Sequence, residues 1–284
     1  MRSTLFTPNV SIQSSTLRNS SLIPYRSGGL RGRCLEPFAS LDIAQLPWNS
    51  LRHKPDPRYR LEKATHTRRV ISFLWQSNSG ESLRLYAKRA QVRGVRKSMT
   101  SFLRPAKSKK EFFLGLNMLT LDIPTPQPVL YAERRVCGFL RENYLVTVGL
   151  EGAMAFSENL RALPDAKKVA AMREAALFIR QMLDRGFQHV DCEAAHVFVE
   201  GDASAVDAHK RMYYIDVDGG RLHAQPREAV LRKSAFQFFR SLPSGMLSDA
   251  MKRAFVDALY GRALDGTEYG RLLSKLEQME NWTE

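Results

Sequence analysis

The sequence predicts an α+β fold in two lobes, a small β-rich lobe with one helix followed by a mainly α-helical lobe. Three observations predict it. Short β-like runs broken by turn residues fill positions 51–150, helical periodicity takes over after about residue 150, and one short β-hairpin interrupts the helices near 195–216. At 284 residues and 44% apolar content, the chain can bury one large core or two lobes with their own.

The elements follow in order. Residues 1–35 hold seven Ser, five Arg and no acid, with SGG at 27–29. Such a composition favours disorder, and a transit peptide would look similar. The apolar stretch of a secretory signal is missing, so residues 1–50 are expected to be a disordered Ser/Arg-rich extension. The first lobe then spans 51–150. RRVISFLWQ (68–76) and SLRLYAKRA (82–90) read as two strands joined by a turn containing Asn78, Ser79 and Gly80. Pro105 opens a helical pattern with Phe112, Leu116 and Leu119 on one face, and DIPTPQP (122–128) stops it, because proline removes donors and restricts its predecessor. PVLYAERR and YLVTVGL (144–150) read as two further strands.

The second lobe spans 151–284. Pro164 starts a long helix with Val169, Met172, Ala176, Ile179 and Leu183 inward, and Gly186 is placed to cap its end. The loop GFQHVDCEAAHVFV (186–199) follows, then a polar turn, the strand RMYYID ending at Asp216, and helical patterns from Arg227 onward.

Charge is unevenly distributed. Residues 51–110 hold 17 Lys and Arg against three acids, which equals the whole chain's net charge of +14. Such a block attracts polyanions: nucleic acid, nucleotide phosphates or an anionic membrane surface. It would otherwise be a solvated basic face. No apolar run reaches the eighteen or so residues that span a bilayer. Three cysteines without a CxxC, Cys34, Cys137 and Cys192, argue for a reducing compartment over a disulfide framework.

His189, Asp191 and His196 fall within eight positions. A zinc site using His189, Cys192 and His196 would lack a fourth ligand and leave Asp191 idle. A merely structural helix-to-strand turn is the bland alternative. Phosphoryl transfer uses every piece: a carboxylate to orient the acceptor hydroxyl, metal ligands, and a lysine held by a glutamate. His189-Val-Asp191, then His196, then Ile215-Asp216 supply the first two, with Asp218 as a second metal ligand or a turn cap. Lys88 in LYAK ends a strand, Glu111 sits on the small lobe's helix, and Gly80 is the sole glycine of the candidate phosphate loop. Cys192 reads as a buried thiol packed under the loop. His66, His209 and His223 read as surface residues.

RRVISF, LYAKR, AKSKKEFFLGLNMLTLDIPTPQPVLYAE, YLVTVGLEG, RGFQHVDCEAAHVFV and YYIDVD together resemble the lipopolysaccharide kinases of Gram-negative bacteria, over roughly residues 66–240. That group contains Kdo kinases and, closer still, core heptose kinases. The resemblance implies a protein-kinase-like fold and ATP-dependent phosphorylation of a heptose or Kdo hydroxyl of the lipopolysaccharide inner core. It implies Asp191 as base and His189 as loop support, with ATP on Lys88, Glu111 and Gly80, and Mg²⁺ on Asp216, His196 and Asp218. His196 stands where most kinases have asparagine, and HVDCEAAH matches the heptose-kinase branch. YLVTVGL is expected to offer backbone groups to adenine. Val190 replaces the usual arginine, and helical pattern resumes eleven residues after Asp216, which disfavours a protein kinase with a regulatory activation loop. The expected partners are a core sugar acceptor and the anionic inner-membrane surface on its cytoplasmic face, with no nucleic acid. The alternatives are a soluble aminoglycoside- or choline-type phosphotransferase, disfavoured by the basic block because such acceptors are often cationic, and a pseudokinase scaffold.

Overall fold

The computed structural model describes residues 20–51, 56–77, 80, 82–94, 100–102, 104–222 and 228–280. They divide into two compact units: one runs through Leu119 and takes in Pro126–Glu151, and the other comprises Thr120–Thr125 and the chain from Gly152 onward. Among the described residues no helix is long and apolar enough to cross a membrane.

The first unit is a seven-stranded antiparallel sheet. Its strands are β1 (Leu22–Ser27), β2 (Leu30–Leu35), β3 (Tyr59–Ala64), β4 (Arg68–Gln76), β5 (Ser82–Gln91), β6 (Pro128–Val136) and β7 (Phe139–Val148), in the order β1-β2-β6-β7-β5-β4-β3. The β4–β5 hairpin forms as expected, with Val70 opposite Lys88 and Gln76 opposite Ser82. Gly80 closes the turn with φ +86°, where a side chain would be strained, and its N–H donates to the Ser77 carbonyl. Asn78, Ser79 and Glu81 lie outside the described residues.

Residues 20–51 correct the expectation of a disordered extension reaching residue 50. β1 and β2 pair with each other, and β2 joins the sheet through β6. The segment that follows lays Phe38, Ile43, Trp48 and Leu51 against Ile71, Phe73, Leu83, Leu85 and Val146 in one buried cluster. This apolar burial outweighs the chain entropy that a polar composition average suggests is never recovered. Residues 1–19, on which the rest of that expectation falls, lie outside the described residues. Helix α1 (Lys107–Thr120) packs Phe112 against Tyr131 and Leu145 of the sheet, and it buries Glu111.

In the second unit, β8 (Ala153–Ala155) leads into α2 (Phe156–Ala162) and the long α3 (Asp165–Asp184). Met172, Ala176, Ile179 and Leu183 are buried in α3 as its periodicity predicts, whereas Val169 is exposed in the first turns, which protrude past the packed stretch. Gly186 takes φ +84° just past the end of α3, as its capping role requires. β9 (Phe187–Gln188) opens the loop, β10 (Val197–Glu200) and β11 (Met212–Tyr214) form the expected hairpin, and β8 flanks β10. β12 (Arg221–Leu222) returns to pair with β9. The helices α4 (Glu228–Arg240), α5 (Asp249–Tyr260) and α6 (Gly266–Glu280) close the unit, with Phe238 stacked on Phe255. His209 is half-buried rather than on the surface: its Nδ1 lies 2.6 Å from the buried Glu174 of α3. His223 lies outside the described residues.

Thr120–Thr125, the start of the proline-rich stretch after α1, belongs to this second unit and bonds to its hairpin. Pro124 accepts from the Tyr214 N–H, and the Thr125 hydroxyl donates to the Tyr214 carbonyl at 2.8 Å.

Candidate active site

In the first unit, strand alternation places Lys88 on the face of β5 that meets α1. Its Nζ lies 3.1 Å from Glu111 Oε2 and 3.4 Å from Oε1. The glutamate is almost fully buried and the lysine side chain is a quarter exposed. A buried carboxylate is costly without a cation, so the pair holds the ammonium in place, and its partial exposure leaves it accessible to an anion from solvent. An ammonium carries three donors, which suits it to bridging a carboxylate and phosphate oxygens.

In the second unit, the loop between β9 and β10 is organised around the carbonyl of Asp191. The Tyr214 hydroxyl donates to it at 3.1 Å, and the Glu193 N–H donates at 2.9 Å. His189 Nδ1 lies 2.6 Å from the same oxygen and 3.1 Å from the Asp191 N–H, and His196 Nδ1 lies 3.4 Å away. On its other side, His189 Nε2 lies 2.7 Å from the Asp218 carbonyl, so the buried imidazole ties the loop to the segment after the hairpin. Burial pushes the Tyr214 hydroxyl far above its ordinary pKa, with Cys192 and Asp216 adding to the effect, so it persists as a donor. The rings of His189, His196 and Tyr214 lie 5.2–6.2 Å apart and fix one another's orientation.

The Asp191 side chain remains exposed, with Oδ1 accepting from Gln237 Nε2 at 3.2 Å. Sequence reasoning missed Gln237. The signal was a polar residue inside AFQFF on the buried face of α4, where only a partnered amide is tolerated. Cys192 beside it is buried, and burial pushes its thiol up to about 12, which fits a packing role over a reactive one.

Asp216 follows the hairpin at φ +53°, in the left-handed region where Asp is one of the few side chains tolerated. The Ile215 N–H donates to the His196 carbonyl at 2.8 Å, so the hairpin brings the start of the loop's far end beside Asp216 in the chain. Asp216 is exposed and Asp218 half-buried. Among the described residues no three His, Cys, Asp or Glu side chains gather as a metal cage, so His196, Asp216 and Asp218 do not form one closed site. Open carboxylates nonetheless fit Mg²⁺, which takes one or two protein carboxylates and completes its octahedron with phosphate oxygens and water.

Among solved structures, the chain is similar to one described as WaaP in complex with acyl carrier protein, at 17% identity and a TM-score of 0.56, over 91% of this chain and 97% of that one. At that identity the likeness speaks for the fold, which is protein-kinase-like. No curated protein matches the sequence. The sequence model of the lipopolysaccharide kinase (Kdo/WaaP) family matches residues 58–256, a stretch that holds Lys88, Glu111, the 189–196 loop and Asp216, and the chain therefore belongs to that family of ATP-dependent sugar kinases.

Proposed function

We propose that this kinase transfers the γ-phosphoryl group of ATP to a heptose or Kdo hydroxyl of the lipopolysaccharide inner core. The observation that carries the reading is the Asp191 loop, whose backbone is fixed by His189 and Tyr214 while its carboxylate stays exposed. Asp191 accepts the proton of the acceptor hydroxyl as the oxygen attacks. Lys88, held by Glu111, binds phosphate oxygens, and Asp216 is the main metal ligand, with Asp218 or His196 assisting. When bound, Mg²⁺ neutralises charge developing between the phosphates. Gly80 lets the β4–β5 turn take a positive φ, beside which the nucleotide phosphates would lie. The ion pair and the left-handed Asp216 backbone favour an active kinase over a pseudokinase scaffold, because both fix groups for which a scaffold has no use.

The basic first unit supports action at an anionic membrane surface, on the cytoplasmic side where ATP is available. Arg58, Arg60, Lys63, Arg68, Arg93, Arg104, Lys109 and Lys110 are all exposed there. Arg96 and Lys97, which add to the same block, lie outside the described residues. Each Lys or Arg near such a surface contributes about 1 kcal/mol, so a handful gives reversible attachment.

Two experiments test this. Purified protein with ATP and Mg²⁺ should add phosphate, seen by mass spectrometry, to lipopolysaccharide from a strain lacking the gene, and not to an aminoglycoside or choline. Transfer to the small amines alone would replace the reading with the soluble-phosphotransferase one. The protein should also sediment with anionic vesicles at low salt and be released at high salt, since exposed charges are screened beyond about 8 Å at physiological ionic strength and closer in as salt rises. Binding that ignores salt would mean an apolar anchor.

A further inference from the structure

We propose that Gln237 is the positioning residue of Asp191: it sets the rotation of the carboxylate and leaves Oδ2 turned to the acceptor hydroxyl. The inference rests on the reading of Asp191 as the base.

Gln237 is 8% exposed, in the last turn of α4 and between two aromatic neighbours, Phe236 and Phe238. A buried primary amide needs partners at both ends. Its Oε1 accepts from the backbone N–H of Cys192 at 3.0 Å. A backbone N–H only donates, so this contact fixes the amide's orientation and makes Nε2 the end that faces Asp191 Oδ1 at 3.2 Å. The same side chain therefore grips the loop backbone one residue past Asp191 and one oxygen of the carboxylate itself.

The second grip matters because of what Asp191 otherwise lacks. The terminal torsion of an aspartate is broad, so an exposed carboxylate rotates freely unless something holds it. A general base works only when a lone pair lies within about 2.6–3.2 Å of the proton it takes. His189, Tyr214 and His196 all meet the Asp191 carbonyl and do not restrain this rotation. Among the described residues Gln237 does. Ser241, one turn further along, provides an internal contrast. Its hydroxyl accepts from the Ala194 N–H at 2.8 Å and donates to the Phe238 carbonyl at 2.7 Å, so it holds the loop backbone without touching the carboxylate.

The test uses the full-length enzyme with ATP and lipopolysaccharide bearing an unphosphorylated inner core. It compares Gln237→Met, Ser241→Ala, Asp191→Ala and the Asp191→Ala/Gln237→Met double variant. Gln237→Met should lower kcat about 10- to 100-fold, the scale of a hydrogen bond to a charged group, while both KM values stay within about twofold. In the Asp191→Ala background the same change should leave the residual rate within about twofold, because its effect passes through the missing carboxylate. Ser241→Ala should lower the melting temperature while kcat falls less than about threefold. If Gln237→Met fails to fold, Gln237→Glu decides, since it keeps the acceptor for the Cys192 N–H and replaces the donor with a carboxylate oxygen that repels Asp191 Oδ1; it too should lose kcat. An unchanged kcat in whichever variant folds, or an equal loss with and without Asp191, would overturn the proposal. Full activity in Asp191→Ala would overturn the base assignment and the proposal with it. An inactive Asp191→Ala alongside an indifferent Gln237 would remove the proposal alone.

Discussion

The two units hold their reactive groups by different means. Lys88 is held by a side chain of opposite charge from a helix, Glu111. Asp191 is fixed through its peptide carbonyl, on which a hydroxyl, two imidazoles and a backbone N–H converge, while its carboxylate meets a single amide. The first arrangement sets charge and the second sets geometry. On the roles proposed for them, that is what phosphoryl transfer asks of each: a phosphate site must balance charge, and a base must stand in one place with its lone pair outward. Removing charge should therefore hurt the first site most, and loosening the backbone or its single amide should hurt the second.

The largest effect is expected where chemistry is lost outright. Asp191→Ala and Asp216→Asn should each lower kcat by roughly a thousandfold or more, the scale set by losing a general base together with metal-assisted charge stabilisation. Asparagine is the appropriate change at 216 because it tolerates the left-handed backbone that alanine would strain. Both proteins should melt within a few degrees of the parent. Near-normal turnover in either would show that the loop is a structural turn after all.

A smaller effect is expected at the ion pair, and its pattern matters more than its size. Lys88→Met and Glu111→Gln should each reduce kcat/KM about a hundredfold, and the double variant should be hardly worse than the singles, because the two act as one unit. Lys88→Met should also cost stability, since breaking a buried pair leaves a charge uncompensated, at about 3–5 kcal/mol for full burial and less for this quarter-exposed lysine. A double-mutant cycle that adds up strictly would mean the pair does not act through one nucleotide contact.

How much of this was legible in the sequence follows from the same contrast. Lys88, Glu111, Asp191 and Asp216 stood out as candidates because each is a charged residue at a punctuated place: a strand end, a helix face, a loop after a glycine, a hairpin end. The β4–β5 hairpin and the α3 face were readable from periodicity, apart from Val169, because the pattern cannot tell where the helix outruns its partner. Gln237 was not readable as a partner of Asp191, since 46 residues separate them and only the packing of α4 brings them together. β1 and β2 were missed for a related reason. Leu30, Cys34 and Phe38 are buried only because β6 and the back of the sheet receive them, and a composition average over Ser and Arg cannot show it.

The smallest and most specific test lies beside residues 20–51, at Glu142 on β7. Arg89 Nη2 lies 2.5 Å from Glu142 Oε1, the Tyr144 hydroxyl donates to Oε2 at 2.6 Å, and Arg89 sits 6.0 Å from the Trp48 ring. Burial pushes the Glu142 carboxyl up, but the hydrogen bonds from Tyr144 and Arg89 outweigh it and hold the pKa below the ordinary glutamate value. A lowered folded-state pKa stabilises the fold above the unfolded value of about 4.3, and that contribution is lost as pH falls through the folded pKa. Glu142→Gln should therefore be less stable than the parent at pH 7 by about 1–2 kcal/mol, a shift of a few degrees in melting temperature. The gap should narrow in urea titrations carried from pH 5 down to pH 3, because protonation removes from the parent what the substitution already removed. A gap independent of pH would mean that Glu142 serves the sheet by its shape and hydrogen bonds alone. A gap that narrows would show that Glu142 contributes through its charge, as Glu111 does to Lys88 in the neighbouring strand of the same sheet.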